Sequence, residues 1–490
     1  MIHFLLKRLF WFIPTLLVIS VLAFVISVFA PGDPLRDVVQ ENNISANNNS
    51  TGNLAERRKN LGLDLPVFYL TIETWADCDT LYRIADSDQR NMLFRMGRKI
   101  GNPEKTMQWF HTLLRTDTLL KQVNTSEFPF NRPAFKNNLI SINNLIYQMS
   151  RTSSLERRAE RTDSLNNLLR IFPGLQNVSE NWTKSELMLN EVLEQGSWWK
   201  QWLPAIRFHG INNQYHRWLW GNGADRKGVL RGDFGISFRD GQPVSQHIGS
   251  KIKWTLIIMS LGLTLACLMA FFAGIFKTLK PTHIISKIVD ASSFAFWALP
   301  LFFLANLSLL LFANPDMFDW FPGSGIRNPA DFNENWPFLR RLVYYPPYLV
   351  LPISVYALSS FGFLYRQFSS ALQTEMRKDY ILAGKARGLS MQHLILHHAL
   401  RNALIPMITL LGQYFPLLIS GSVILEAIFS IPGMGLEIFE STLSKDYPMI
   451  VALFTLFGLF TMLGYLLSDI GIALVDPRIR LSKNNNQNAL

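Results

Sequence analysis

Six apolar, nearly charge-free runs, residues 9–29, 254–276, 288–313, 347–365, 403–426 and 449–475, constrain this chain more than any other feature. A bilayer hydrocarbon core about 30 Å thick takes roughly 20 residues of helix, so each run is long enough to span. Lipid offers backbone groups no hydrogen-bond partners, and helices close theirs internally. The chain therefore reads as an all-α membrane protein with six transmembrane helices. Pro14, Pro300 and Pro352 fall inside these runs, and each is expected to kink its helix without breaking it. PGDP (31–34) offers no small-residue cleavage site after the first run, which reads as a retained helix and not a signal peptide.

Lys and Arg in short loops set orientation. They gather at Lys7 and Arg8, in 277–287, in 366–402 and in the tail at Arg478, Arg480 and Lys483, all on one side if there are six spans. In the loops 314–346 and 427–448 acidic residues offset the basic ones. Both termini are expected to be cytoplasmic. The net charge of +11 is largely accounted for by these loops, and no zinc spacing or RNA-binding signature points to nucleic acid. Cys78 lies in the long segment after the first run and Cys267 inside a run, so neither a disulfide nor a shared metal site is expected.

The first two runs are separated by roughly 220 residues, too many for a structureless loop. Residues 1–30 form the cytoplasmic N-terminus and first helix, 31–252 an extracytoplasmic domain, 253–476 the membrane core and 477–490 a cytoplasmic tail. The Asn-rich stretch 42–53 reads as a flexible surface loop. Helical patterning over 80–99, 104–122, 138–170 and 183–195 makes the domain mainly helical. Trp198, Trp199 and Trp202 mark either a return to the bilayer interface or a packed aromatic core.

The stretch KDYILAGKARGLSMQHLILHHALRNALIPM interrupts the apolar runs with a basic hairpin: a helix to Gly388, a Gly-Leu-Ser turn, and a second helix capped by Ser390. Its apolar residues, Ile381, Leu382, Ala383, Ala386, Met391, Leu394, Ile395, Leu400, Ala403 and Leu404, need a partner. By patterning alone that partner is either a protein groove or the membrane interface.

The order Asp379-Tyr380-Ile381, Ala383, Ala386, Gly388-Leu389-Ser390, then HALRNALIP (398–406), resembles the cytoplasmic coupling loop of ATP-binding-cassette importer permeases of the oligopeptide and dipeptide type. PGDP (31–34), LGLDLP (61–66), GDFGISF (232–238), LPLFF (299–303), PGSG (322–325), EAIFSIPGMG (426–435), KDYP (445–448) and DPRIR (476–480) are similar to that family in its usual order. Gly384 stands where many importers carry a second Ala, and residues 72–213 have no counterpart in the family.

The resemblance implies a type I permease fold, with 371–403 as the coupling loop docking into an ATPase groove outside this chain. It assigns to ATPase contact Asp379, Tyr380, Ala383, Gly384, Ala386, Arg387, Gly388, Leu389, Ser390, Arg401, Asn402 and Pro406. Ala383, Gly384 and Gly388 would permit close approach, or simply form a tight turn. Arg387 and Arg401 would pair with acidic groups of the ATPase, or hold the loop's own fold. It further implies a bacterial inner membrane location, a second homologous permease, one or two ATP-binding cassette ATPases, an extracytoplasmic substrate-binding protein and di- or oligopeptides as substrate. The chain lacks a G-x-x-x-x-G-K-[ST] loop, so ATP and Mg would be bound by the ATPases, with no cofactor and no catalytic residue here.

His393, His397 and His398 have metal-like spacing, but no HExxH glutamate or cysteine completes a site. Glu426, with Pro432, Gly433 and Gly435 in the bend beyond it, is a candidate for the pathway or gate, because an ionisable group at membrane depth is costly. The competing reading is an interfacial Glu that caps a turn. Asp290 and Asp469, near the ends of runs, suit salt bridges as well as transport. A different class of function, a membrane sensor or envelope assembly factor built on the 31–252 domain, is the alternative.

Overall fold

The structure is a computed structural model that describes residues 2–29, 50–123, 132–171, 175–223, 226–328, 331–333 and 336–475. PGDP (31–34), DPRIR (476–480), the tail and most of the Asn-rich stretch lie outside the described residues; Ser50–Leu61 is helix, so residues 50–53 are helical where a loop was expected. The chain divides into two compact units, one of Met1–Pro34 with Gly232–Leu490, the other of Leu35–Arg231.

Among the described residues of the first unit, five helical stretches are long and apolar enough to cross a membrane: Arg8–Ser27, Val244–Leu279, Pro346–Met376, Met391–Ile428 and Tyr447–Ile472. Ile284–Ala298 and Leu301–Phe312 would make a sixth span together, but they meet at 107°. This corrects the expectation for Pro300. A proline disfavours helix for the residue before it, and Leu299 is extended (φ −79°, ψ 130°), so the run breaks there. Pro14 and Pro352 sit inside continuous helices. The Met391–Ile428 stretch, which holds the fifth run, is less regular than its composition suggests, with a π-helical segment at Leu394–Ala399 before the run and interruptions at Phe415–Pro416 and Gly421 within it.

Val244–Leu279 packs chiefly on Pro346–Met376, and Ile2–Phe29 on Tyr447–Val475. Small residues set the first approach, since a Cβ at Gly262 would lie 2.7 Å from the Tyr356 ring and one at Gly274 2.6 Å from that of Phe368. Ion pairs tie the spans where sequence offered two readings. Asp290 accepts from Lys277 Nζ at 2.7 Å and from the Tyr365 hydroxyl at 2.6 Å, and Asp469 pairs with Arg8.

The second unit is a helical bundle carrying a two-stranded sheet. Asp86 accepts from the Asp88 and Gln89 N–H groups and starts Ser87–Ile100, which ends at Gly101 in the left-handed region. Met92, Leu93 and Met96 meet Trp109, Phe110 and Leu113 of Pro103–Lys121 in the core, with Ile142, Ile146 and Leu165. The single helix expected over 138–170 is two, Arg132–Met149 and Leu155–Ile171. Arg158 explains the break: its buried guanidinium donates to the carbonyls of Met149 (2.6 Å) and Thr152 (2.8 Å) and stacks 4.5 Å from Trp109. It satisfies the helix end where the chain turns.

Leu70–Thr74 (β1) and Pro204–Phe208 (β2) pair antiparallel, with Leu70 opposite Phe208 and Ile72 opposite Ile206. Sequence patterning did not anticipate them. Asp77 anchors the end of β1: it accepts from the Thr74 N–H at 2.8 Å and hydroxyl at 3.0 Å, and from Arg98 Nε at 2.7 Å. Burial pushes its carboxyl up, but the Arg98 and Thr74 hydrogen bonds outweigh this and hold it below its usual value. A lowered folded pKa gives stability that is present above the unfolded value and lost as pH falls through the folded one. Asp77→Asn is expected to remove that acid-side loss from the unit's melting-versus-pH profile and to cost about 1 kcal/mol at neutral pH, the charge-assisted bond to the half-exposed Arg98 being weakened. An unchanged acid limb in thermal melts of wild type and variant would refute the assignment.

Candidate functional site

The basic hairpin leaves Pro346–Met376 through Arg377 and Lys378. Asp379–Ala386 is its first helix, and Gly388 (φ 81°) makes the left-handed turn that an L side chain resists. Ser390 caps the second helix, its hydroxyl accepting from the His393 N–H at 3.3 Å. A Glu375 carboxylate closes the base: it accepts from Lys378 Nζ (2.5 Å), the Tyr380 hydroxyl (2.7 Å) and Asn402 Nδ2 (3.5 Å). Asn402 also donates to the Tyr380 oxygen at 3.2 Å. Burial, and then the bond to Glu375, hold the Tyr380 phenol above its ordinary value. Two sequence-selected residues are thus joined by one that sequence analysis missed. The signal was an acidic residue two positions before Arg377-Lys378.

The hairpin's apolar residues divide. Ile381, Leu394, Ile395, Ala399 and Ala403 are buried in the unit's own core. That corrects the expectation that the whole stripe needs an external groove. Gly384 is also buried, and a Cβ there would meet Leu394 Cδ2 at 2.5 Å, so it lets the second helix of the same hairpin approach closely. Exposed are Leu382, Ala383, Ala386, Leu389, Met391 and Leu396, and the polar Asp379, Lys385, Arg387 and Ser390 of the same hairpin are exposed as well. Arg401, Asn402 and Pro406 are exposed on the second helix and its continuation. His393 and His397 stack at 4.3 Å between ring centroids, and no group of three or more His, Cys, Asp or Glu is placed to hold a metal among the described residues.

Glu426 lies in the short helix Val423–Ile428 with none of its surface exposed. Its carboxylate accepts from the Thr255 hydroxyl at 2.9 Å and the Leu436 N–H at 2.8 Å, and Thr255 Oγ1 in turn accepts from the Met434 N–H at 2.8 Å. Gly433 and Gly435 let the turn wrap the carboxylate, since a Cβ on Gly433 would lie 2.3 Å from the Glu426 Cδ. Gly433 is the residue before Met434–Leu443, and Pro432 precedes it in the bend. PGSG reaches the same place: the Gly325 N–H donates to the Phe429 carbonyl at 2.7 Å.

A second clasp joins GDFGISF to KDYP. Asp446, fully buried, accepts from the Ser237 hydroxyl and from the Phe238 N–H at 3.0 Å. Burial pushes its carboxyl up, partly offset by those two bonds. Beside it the buried Glu437 pairs with Arg239 (2.9 Å) and Lys251 (2.5 Å), and Arg239 also reaches Glu440 at 3.1 Å. Sequence had read these acids only as loop charges.

Spans that include one broken at Pro300 and one interrupted near Gly421, with a hairpin packed on the unit's own core between two of them, make a multi-pass membrane protein. Residues 262–481 match the family described as binding-protein-dependent transport system inner membrane component. The chain is 33% identical over 279 residues to an oligopeptide transport system permease protein of Bacillus subtilis, covering 56% of this chain and 83% of that protein. It is 28% identical over 317 residues to one of Haemophilus influenzae, covering 64% and 92% respectively. The chain belongs to this family of transport permeases.

Proposed function

We propose that this chain is one permease subunit of an ATP-driven importer of di- or oligopeptides, forming half of the translocation pathway. The observation that carries the reading is the divided hairpin: an apolar core that fixes it to the spans, and a separate exposed apolar patch with basic neighbours. A lever needs both, one side to transmit force and one to receive it. In this reading Leu382, Ala383, Ala386, Leu389 and Met391 seat in an ATPase groove, and Arg387 and Arg401 meet its acidic groups. Asp379, Tyr380, Gly384, Gly388, Ser390 and Asn402 shape the hairpin, and Pro406 lies in the helix that carries the motion inward.

The Lys and Arg distribution supports cytoplasmic termini and an extracytoplasmic Leu35–Arg231 unit. Glu426, Pro432, Gly433 and Gly435 brace the bend that borders the pathway, Glu426 acting as a staple and not as a ligand. The remaining parts are a second homologous permease, ATPases that bind ATP and Mg, and an extracytoplasmic binding protein that delivers the peptide. Proteoliposomes holding this chain, the second permease and the ATPases are expected to accumulate labelled peptide when supplied with ATP and loaded binding protein. ATP hydrolysis without uptake of any di- or oligopeptide would overturn the substrate class.

A further inference from the structure

The sheet of the Leu35–Arg231 unit is turned inside out. Its polar residues face the unit: Thr71 bonds His209 at 2.8 Å, while Arg207 meets Glu73 at 3.5 Å, Asp79 at 3.3 Å and the Asp77 carbonyl at 2.7 Å. Its apolar cross-strand pairs face outward, with Ile72 81%, Ile206 73% and Phe208 75% exposed and Leu70 beside them. In an ordinary half-buried sheet the alternation runs the other way. The single turn Trp198–Trp202 leads straight into β2 and packs against β1, and all three of its tryptophans are exposed. Trp75, also exposed, has its backbone fixed there by its main-chain N–H, which donates to the Leu203 carbonyl at 3.0 Å.

We propose that this face is a membrane-docking surface, which seats in the headgroup and upper acyl region of the bilayer that the same chain spans. Three features select lipid as the occupant. Four exposed tryptophans, Trp75, Trp198, Trp199 and Trp202, adjoin the two strands, and Trp concentrates where an apolar ring and a polar N–H meet the two sides of an interface. The charged residues of the strands, Glu73 and Arg207, are paired with each other and Arg207 also with Asp79, so the sheet itself offers little unpaired charge for an ionic partner to read. The unit is joined to membrane helices at both ends; residues 232–243, before the Val244–Leu279 helix, would reach at most about 40 Å even fully extended, and Ser237 and Phe238 among them are clasped to Asp446. A tether of that length keeps the bilayer at high effective concentration, so a modest apolar surface suffices for docking. The helical bundle would then be held against the membrane by its sheet and not swing free.

The test uses the full chain with Cys267 replaced by Ala, in nanodiscs of zwitterionic lipid and without any partner subunit. Cys78 need not be removed, because burial pushes its thiol up to about 12 and leaves it unreactive. Nitroxide labels are placed one at a time at Ile206→Cys and Phe208→Cys, both exposed positions, and at Glu160→Cys on the exposed side of the Leu155–Ile171 helix as an aqueous reference. At Ile206 and Phe208, collisions with oxygen are expected to exceed those with a water-soluble nickel complex, and at Glu160 the order inverts. Equal, water-like accessibility at all three sites would overturn the proposal. Shielding that develops only when the second permease or the binding protein is added would also overturn it, and would assign the face to a protein partner.

Discussion

Leu382→Asp with Met391→Asp is expected to release the ATPase subunits from this permease without unfolding it. Both side chains lie largely outside the core, 55% and 41% exposed, so charge there costs the isolated chain little. At an interface the same two positions would be apolar anchors worth about 2 kcal/mol each. Losing both weakens association on the order of 1000-fold, enough to abolish co-purification and ATP-driven uptake. Ile381→Asp is the contrasting variant, because Ile381 is fully buried and a charge there breaks the hairpin's own packing. ATPase retained at wild-type stoichiometry by the double variant, with uptake intact, would eliminate this face as the contact.

The second large effect is expected at Glu426. Truncation to Ala leaves the Leu436 N–H without its acceptor and frees the Thr255 hydroxyl that also receives the Met434 N–H. Breaking such a buried arrangement costs about 3 kcal/mol. Glu426→Ala should therefore lower the detergent melting temperature by several degrees and depress transport, with Glu426→Gln intermediate because an amide keeps one acceptor oxygen. Wild-type melting of Glu426→Ala would show that the turn is held by packing alone.

These two sites differ in how they could be read from residues. At the hairpin, Gly388 and Ser390 are local devices, a left-handed turn and a cap, and each operates within three residues of itself. Gly384 and Leu394 are ten positions apart, and nothing in their spacing says that one needs the other's space. At Glu426 the costly burial of an acid was legible, but its partners come from Thr255 and Leu436, on other elements. The clasp of Asp446 on Ser237 and Phe238 spans more than two hundred residues. The exposed sheet was missed because five-residue strands with period-two patterning are faint beside long helices.

By itself the sequence determined that the chain crosses a membrane and where its hairpin lies, because apolar length and turn chemistry are properties of contiguous residues. The permease likeness was carried in the same way, by motifs a few residues long. Only the tertiary structure decided that Pro300 breaks its run, which half of the hairpin is already buried, and that Leu70–Thr74 and Pro204–Phe208 turn their apolar side outward. Burial is a relation between distant segments, and the same leucine is core or contact surface according to what the rest of the chain brings to it.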